Sequence, residues 1–515
     1  MKLIDYYNVN NIIYNKLYLI IVLFIFRIVL FNNQSNDLIN PTNIPELLYY
    51  KHQKLYILAE KNKENNLCPL TLYFSLNFTD SNVTTEYEIK QINLKDKNYF
   101  VSFYGNNLNY IEHFKILNEN GLIRSKYIHG NNNLFISPVL KSTFKLEKEN
   151  IYDLSNYQKV YQYISGDLVF NKNSLYIQYI RLKNLFFQDF DYMPKTYNYP
   201  EDKYLIEKKF SNYKLNLSDL WLVKPIDKYG GEGIKFLKSL KDITFNEFII
   251  TQYISNIDLI KGKKYDLRLY ILISGLKPLR IYFYEEGLVR IASEKYSSDI
   301  NNIGNKFMHL TNTDVNKYNK NFIHPNDSNS NNENANMWNL LMYKKYLKEK
   351  HNFEWDDIRI KIKDIIIKTI ISLQYKLIEL NDKEKLNDKN FYNLLGFDIL
   401  MTNNFIPILL EVNFSPQMLI HNNLDRPIKK NLFIDTLNII GISPYSRKTN
   451  KPLSQHSKNN NNKYTNINNA LCELNRPRGS YELIFPLKAN INKYKKYFIN
   501  ISEENNELWT KILNN

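Results

Sequence analysis

Two apolar runs of strand length each carry acidic residues where period-two alternation should place them on one face. The first, Leu394 to Leu400, contains Asp398; the second, Leu409 to Asn413, contains Glu411. Thr402-Asn403-Asn404, a turn-forming cluster, lies between them. A hairpin built this way converges two carboxylates and the amide of Asn413, hard oxygen ligands of the kind Mg²⁺ takes with waters and substrate phosphates. The same residues would equally form the solvent face of an ordinary polar hairpin. Which of the two applies depends on what the rest of the chain brings to that face.

A chain of 515 residues exceeds what one hydrophobic core organises, so about two to four domains or subdomains are expected. The formal net charge of +16 suggests an anionic partner: nucleic acid, a membrane or an acidic protein surface. The joint abundance of Asn, Lys, Ile and Tyr supplies part of that charge as background. Cys68 and Cys472, far apart and in dissimilar surroundings, specify neither a disulfide framework nor a zinc site, which fits a reducing compartment. Near the N-terminus, Leu17 to Phe26 is uninterruptedly apolar, and Ile28 to Phe31 follows Arg27. Asn32-Asn33-Gln34-Ser35 is a poor signal-peptide cleavage site. The two runs together approach spanning length, but Arg27 near the middle costs about 2.5 to 3.5 kcal/mol on insertion scales. A buried or interfacial helix is the expectation, with an N-terminal membrane anchor left open. The sequons at Asn77 and Asn82 are expected by chance in so Asn-rich a chain.

Five regions follow from composition and motif content: a hydrophobic segment at 1–35, a variable region at 36–95, a motif-bearing region at 96–445, an Asn-rich linker at 446–470 and a C-terminal segment at 471–515. Phe100 to Tyr104 reads as a strand. Ser328 to Asn336 and Ser454 to Asn469 lack the apolar residues that would offset ordering entropy and read as loops or linkers. Between them, Trp338 to Leu380 has apolar residues at helical spacing, with Ile358, Ile360, Ile362, Ile365, Ile366, Ile367, Ile370 and Ile371 covering more than one stripe; a buried helix pair is expected.

Several constellations carry chemistry. Trp221-Leu222-Val223-Lys224-Pro225 reads as a short strand, followed by the glycine-rich connection Gly230-Gly231-Glu232-Gly233. Glycines let backbone N–H groups close on an anion, and a lysine at a strand end supplies a point charge for phosphate. Neither a Walker A loop nor a dinucleotide fingerprint is present, and a hairpin turn beside a surface lysine would look the same. Phe248 to Ile254 is another strand pattern. In Lys263 to Ile273, alternation puts Lys264, Asp266 and Arg268 on one face of an apolar strand, which requires either a wet face or a polar cleft. Leu279 to Ala292 reads as a hairpin turning at Glu286-Gly287, with Arg290 on its return strand. His309, within His309-Leu310-Thr311-Asn312, reads as a structural histidine rather than a catalyst.

Taken in order, Trp221 to Pro225, Gly231-Glu232-Gly233-Ile234, Lys264 to Arg268, Tyr282 to Arg290, His309 to Asn312, Gly396 to Leu400 and Leu410 to Asn413 closely resemble the tubulin-tyrosine ligase-like family. Gly166-Asp167-Leu168 and Pro194-Lys195-Thr196-Tyr197 resemble the segments that precede them, so the likeness covers residues 96–445. It implies an α+β chain with an ATP-grasp fold, in which two subdomains enclose ATP behind a smaller N-terminal domain. The implied activity is ATP-dependent ligation of an amino acid to a carboxylate of tubulin through an acyl phosphate. By the same resemblance, Lys224 contacts the phosphates and Lys264 lies near the base, with Gly231 and Gly233 in the phosphate loop. Gln252, Tyr253 and Ile254 lie at the adenine, and Asp266 contacts ribose or base. Arg268 and Arg290 serve the acyl-phosphate and amino-acid end, which Thr311 and Asn312 also line, and Asp398, Glu411 and Asn413 hold Mg²⁺, Glu411 being catalytic as well.

The branch is a further expectation. His309 to Asn312 followed by Val315-Asn316-Lys317, and Arg476-Pro477-Arg478-Gly479 leading to Ile484-Phe485-Pro486, resemble the tubulin glutamylases, which points to L-glutamate as the added amino acid. Three positions depart from that pattern. Glu232 stands where an arginine is common, Asp314 stands where a serine is common, and Asn321 to Tyr343 contains no lysine or arginine for a substrate carboxylate. Glycine or tyrosine ligation, or a non-catalytic microtubule-binding role, are the alternatives. Nucleic acid is not expected as a partner, because no recognised module accompanies the charge. Microtubules with their acidic tails are, which would place the chain in the cytoplasm on the cytoskeleton, a cilium or flagellum included.

Overall fold

Four short parallel strands, β1 (Ser102–Tyr104), β2 (Ile123–Arg124), β3 (Leu134–Phe135) and β4 (Lys159–Tyr161), lie in the order β2-β1-β3-β4. Parallel neighbours need a crossover, and the helix Ile111–Glu119 supplies it between β1 and β2. The computed structural model describes residues 166–446 with short breaks, 466–514, and shorter stretches between 55 and 163. All described residues from Leu55 onward belong to one unit, Lys54–Asn515. The apolar run at 17–31, both sequons and residues 454–465 lie outside the described residues.

Next comes α1 (Lys172–Leu185), whose first turn is closed by Asn171 Oδ1 accepting from the Ser174 amide at 2.7 Å. A four-stranded antiparallel sheet then forms from β5 (Thr196–Tyr199), β6 (Trp221–Pro225), β7 (Lys235–Phe236) and β8 (Phe248–Gln252), in the order β7-β6-β8-β5. Its sequence alternation is visible in the packing. Trp221 and Val223 join Phe248 and Ile250 in a core shared with Ile206 and Phe210 of α2 (Lys203–Phe210), while Leu222 and Lys224 turn to the opposite side.

The larger sheet is organised by a long hairpin, β9 (Lys263–Leu276) and β10 (Leu279–Ile291), which turns at Lys277-Pro278. The expected turn at Glu286-Gly287 does not form, and β10 runs straight through it. The polar dipeptide instead sits where the β9–β10 register slips, Leu269 pairing with Gly287 but Ile271 with Phe283. On its outer edge β10 is covered piecewise, by β11 (Met337–Asn339) from Leu288 and by β14 (Tyr481–Phe485) up to Tyr284. Glu286 falls in the gap between those partners. Gly287 is required there, because a Cβ would lie 2.7 Å from the Arg268 carbonyl oxygen.

β12 (Phe391–Met401) pairs with β9 on one edge, and with β13 (Pro407–Asn413) and β4 on the other, joining the antiparallel strands to the parallel ones. The hairpin expected at Thr402-Asn403-Asn404 is present. α3 (Leu340–Tyr346) leads through an irregular turn to α4 (Trp355–Lys383), which packs on α1 and β13. These are the expected helix pair, although Trp338 belongs to β11 and Ile360 is 65% exposed. α5 (Asp425–Ile440) packs against β9 and β10 and ends at Gly441, with φ +67°.

Two expectations are corrected in the C-terminal segment. Residues 466–469 are not linker but the first turn of α6 (Asn466–Asn475), which packs with α7 (Glu503–Asn514) around Ile467, Ala470 and Leu508. Cys472 of α6 forms a disulfide with Cys68, 404 residues away, so the cysteines do not carry the reducing-compartment reading their spacing suggested. Proximity in space has no counterpart in sequence spacing here: the segment around Thr71 is laid on the end of α5, where Leu72 N–H donates to the Ile442 carbonyl at 2.7 Å and Phe74 N–H to Asn438 Oδ1 at 2.9 Å. Among the described residues, no helix is long and apolar enough to cross a membrane.

Candidate functional site

The two sheets enclose a cleft of about 730 Å³. Alternation decides what each strand presents to it. From β6 come Leu222 and Lys224; from β9, Lys264, Asp266, Arg268 and Tyr270; from β10, Leu288 and Arg290; from β12, Asp398 and Leu400. The intervening residues Tyr265, Leu267, Leu269, Phe397 and Ile399 are buried on the other face. Glu411 and Asn413 of β13, Gln252 to Ile254 after β8, and Thr311 and Asn312 also line the cleft. Every residue picked out from the sequence is therefore in one place except Gly233. That glycine, with φ +73°, lies against Pro225, whose Cγ would be 2.8 Å from an added Cβ, so it shapes the loop from behind.

A charge network dominates the floor. Arg268 binds Asp398 through two bonds, Nε to Oδ1 at 2.6 Å and Nη2 to Oδ2 at 3.0 Å. Arg290 bridges two aspartates: its Nη2 lies 2.8 Å from Asp398 Oδ2, while its Nε and Nη2 donate to Asp266 at 2.7 and 2.6 Å. Thr311 Oγ1 donates to the same Asp266. Pairs this deeply buried persist because each charge is matched and its hydrogen bonds are made. Burial works against ionising Asp398, but the two guanidinium groups outweigh it and hold the carboxyl far below the usual carboxylate range. Glu411 goes the other way: burial, and then the neighbouring Asp398 charge, raise it.

Asp398 and Glu411 are apposed carboxylates, one pushed down and one up, and a divalent cation between them would offset their repulsion. Asp398 faces Glu411 directly in the β12–β13 register. Asn413 Nδ2 lies 3.3 Å from both Asp398 Oδ2 and Glu411 Oε1, so rotating the amide by half a turn would present its oxygen to the same point. The donor set fits a hard cation such as Mg²⁺.

At the other end of the cleft, Lys264 Nζ sits 4.4 Å from the centre of the Tyr253 ring and donates to the Tyr253 hydroxyl at 3.3 Å. Burial pulls its pKa down to about 7. Lys224 is likewise lowered by burial, with partial relief from Glu411. His309 is a packing residue, as its sequence context suggested: its Nδ1 meets the Tyr253 hydroxyl at 2.9 Å, its ring sits edge-on to Phe236, and burial pulls its pKa down to about 4. The glycine loop leans on the segment after His309, for a Cβ on Gly231 would meet Asn312 Oδ1 at 3.1 Å.

A model of the tubulin-tyrosine ligase family matches residues 147–451, more than half of the chain. The chain belongs to the tubulin-tyrosine ligase family. It is 32% identical over 305 residues to the tubulin polyglutamylase TTLL5 of Mus musculus, covering 58% of this chain and 22% of that protein. Similarity to the Homo sapiens tubulin monoglutamylase TTLL4 is 31% over 337 residues, 62% of this chain and 28% of that protein. For the Homo sapiens tubulin polyglutamylase TTLL6 it is 31% over 390 residues, 71% and 42%. The chain thus spans less than half the length of these relatives. Its α+β architecture, two sheets closing on one cleft, agrees with the ATP-grasp expectation.

Cleft residues that sequence reading missed fall into two kinds. Lys172, at the start of α1, donates to the Lys228 carbonyl at 2.7 Å and so ties the helix to the glycine loop. Lys317 and Lys429 bring cations to the wall that the 321–343 loop lacks, and each faces an aspartate: Asp314 at 2.7 Å and Asp425 at 2.9 Å. Asp314 is therefore not an isolated anion, and Glu232 is matched by Lys228 at 3.0 Å. Lys317 carried a signal, its place in the motif after His309; Lys429 carried none, because only the packing of α5 brings it to the cleft.

Proposed function

We propose that this chain is an ATP-dependent ligase that adds L-glutamate to glutamate side chains of tubulin tails through an acyl-phosphate intermediate. The observation that carries this reading is the network of Asp398, Glu411, Arg268 and Arg290 in a cleft that also holds the buried Lys264 and the half-buried Lys224. Joining a carboxylate to a phosphate requires that their mutual repulsion be offset, and arginines beside a metal-binding carboxylate pair do that. Lys224 and the loop at Gly231 hold phosphate oxygens, Lys264 lies toward the base, and Gln252 to Ile254 border the adenine. Asp398, Glu411 and Asn413 would hold Mg²⁺, which supplies charge neutralisation at the transferred phosphoryl group. Arg268 and Arg290 orient the acceptor carboxylate for attack on the γ-phosphorus, which breaks the bond to the β,γ-bridging oxygen and releases ADP. The amino group of the incoming glutamate then attacks the acyl carbon, and phosphate leaves.

Support for glutamate comes from the relatives, which are named glutamylases, and from Lys317 and Lys429 at the cleft wall. Because both lysines already face aspartates, charge alone does not select glutamate over glycine or tyrosine. In this reading residues 96–445 are the catalytic region, 471–515 its C-terminal support, and microtubules in the cytoplasm the place of action. The test is purified protein with microtubules, ATP and labelled glutamate, glycine or tyrosine in parallel. Incorporation of glutamate is expected; another amino acid would reassign the specificity, and none would support a non-catalytic microtubule binder.

A further inference from the structure

Three side chains at one end of the cleft, Lys264 of β9, Tyr253 after β8 and His309, are buried, line the cavity and touch in series. Lys264 Nζ donates to the Tyr253 hydroxyl at 3.3 Å and lies 4.4 Å from the centre of its ring. The same hydroxyl meets His309 Nδ1 at 2.9 Å. We propose that His309 is a positioning residue: by accepting the Tyr253 hydroxyl proton at Nδ1, it turns the phenol lone pairs toward Lys264 and fixes that ammonium where a nucleotide meets it. The nucleotide part rests on the reading of the cleft as an ATP site.

Counting donors and acceptors leads to this arrangement. A lysine ammonium has three donors and no acceptor, so the Tyr253 oxygen must accept from Lys264, and the phenol has one proton to give elsewhere. Two groups besides Lys264 meet that hydroxyl, His309 and the Tyr296 hydroxyl. An imidazole protonated on Nε2 offers a lone pair at Nδ1 and takes the Tyr253 proton. Tyr296 then donates to the remaining lone pair, and every site on the Tyr253 oxygen is used. With its proton on Nδ1, the histidine would instead compete with Lys264 for those lone pairs.

Packing holds the ring but does not account for its nitrogen. His309 is edge-on to Phe236 at 5.1 Å and to Tyr296 at 5.8 Å, contacts that a phenylalanine would make as well. What a phenylalanine lacks is the acceptor aimed at Tyr253. Burial, then the Lys264 charge, pull the imidazole pKa down to about 4 against a backbone contact with Asn302. His309 therefore stays neutral near pH 7 and brings no second cation to Lys264, which already has Lys224 of β6 opposing its charge and Asp266 on its own strand favouring it.

The test starts with the full native chain labelled with ¹⁵N-histidine. Eight histidines are few enough for the His309 signals to be assigned by their loss in His309→Asn. At pH 7 the Nε2–H tautomer is expected; an Nδ1–H tautomer overturns the proposal. Affinity for the β,γ-imido analogue of ATP with Mg²⁺ is then measured by calorimetry. His309→Phe should weaken it about five- to tenfold, the worth of one hydrogen bond. Tyr253→Phe should match that loss, and the double variant should lose no more, because both changes break one chain of contacts. His309→Asn, which keeps an acceptor at the Nδ1 position, should restore most of the affinity. Unchanged affinity in His309→Phe, or equal loss in His309→Asn and His309→Phe, overturns the positioning role. Should His309→Phe fail to fold, Tyr253→Phe and the tautomer decide. A native chain that shows the Nε2–H tautomer but binds no nucleotide refutes the ATP reading, not the bond between His309 and Tyr253.

Discussion

Glu411 and Asp398 face each other across β12 and β13, and their opposite displacements from ordinary carboxylate behaviour come from unequal neighbours: two arginines at Asp398, buried surroundings and another carboxylate at Glu411. Glu411→Gln keeps the shape and removes the charge. It should abolish glutamate incorporation while leaving the circular dichroism spectrum and melting profile near native; normal turnover would remove Glu411 from the metal-binding set. Lys264 gives a pH dependence whose sign follows from burial. Burial pulls its pKa down to about 7 in the free protein, and the net negative charge of a nucleotide in the same cleft would raise that value. The complex then holds more protons than the free protein above pH 7. Nucleotide affinity should therefore be greatest below about 7 and fall as pH rises, by up to about tenfold per unit. Binding isotherms from pH 6 to 9 check this, and Lys264→Met should flatten the profile.

At the scale of elements, α4 shows how periodicity was legible and where it misled. Ile358, Ile362, Ile366 and Ile370 form a stripe at helical spacing and are all buried, whereas Ile360, counted with them in the sequence, is 65% exposed because it falls on the opposite side of the helix. Ile366→Ala should cost about 2–5 kcal/mol through loss of buried surface and the cavity left behind. Ile360→Ala should stay within about 0.5 kcal/mol. Denaturant melts of the two variants side by side measure the difference. β10 is the converse case. Glu286-Gly287 has the composition of a turn, yet the glycine is there because the chain passes close to the Arg268 carbonyl, and Glu286 sits at a register slip that neither edge partner covers. Local composition cannot distinguish a turn from a bulge when strand partners come from residues 337–339 and 481–485.

For the whole molecule, the link between Cys68 and Cys472 closes a loop spanning most of the chain and holds the segment at 70–76 to the end of α5 and to α6. Cross-linking over long loops stabilises by about 2–4 kcal/mol, chiefly by restricting the unfolded chain. Reduction with dithiothreitol, or Cys68→Ser, should therefore lower the thermal midpoint and expose the 68–76 segment to limited proteolysis, with no change if the bond does not form. The net charge of +16 acts over longer distances. Under the proposed function, microtubule association should weaken steeply between low and physiological salt, because steering toward acidic tails is screened within about 8–10 Å. Co-sedimentation across a salt series reads this directly.

Sequence alone determined most of the strands that carry the cleft residues, because alternation is a local property; the strand of Leu288 and Arg290, read as a hairpin, is the exception. Lys264, Asp266 and Arg268 share a face whatever else the chain does, whereas Asp398 meets Glu411 only because the register shifts by one residue beside it, Ile399 pairing with Leu409 but Asp398 with Glu411. Motif order, read as a resemblance, extended this to the family. Tertiary structure alone decided what those faces meet: that Arg290 bridges Asp266 and Asp398, that Lys429 reaches the cleft from α5, and that two cysteines 404 residues apart are joined. Partners across long loops are chosen by the packing of whole elements, and spacing along the chain carries no record of that choice.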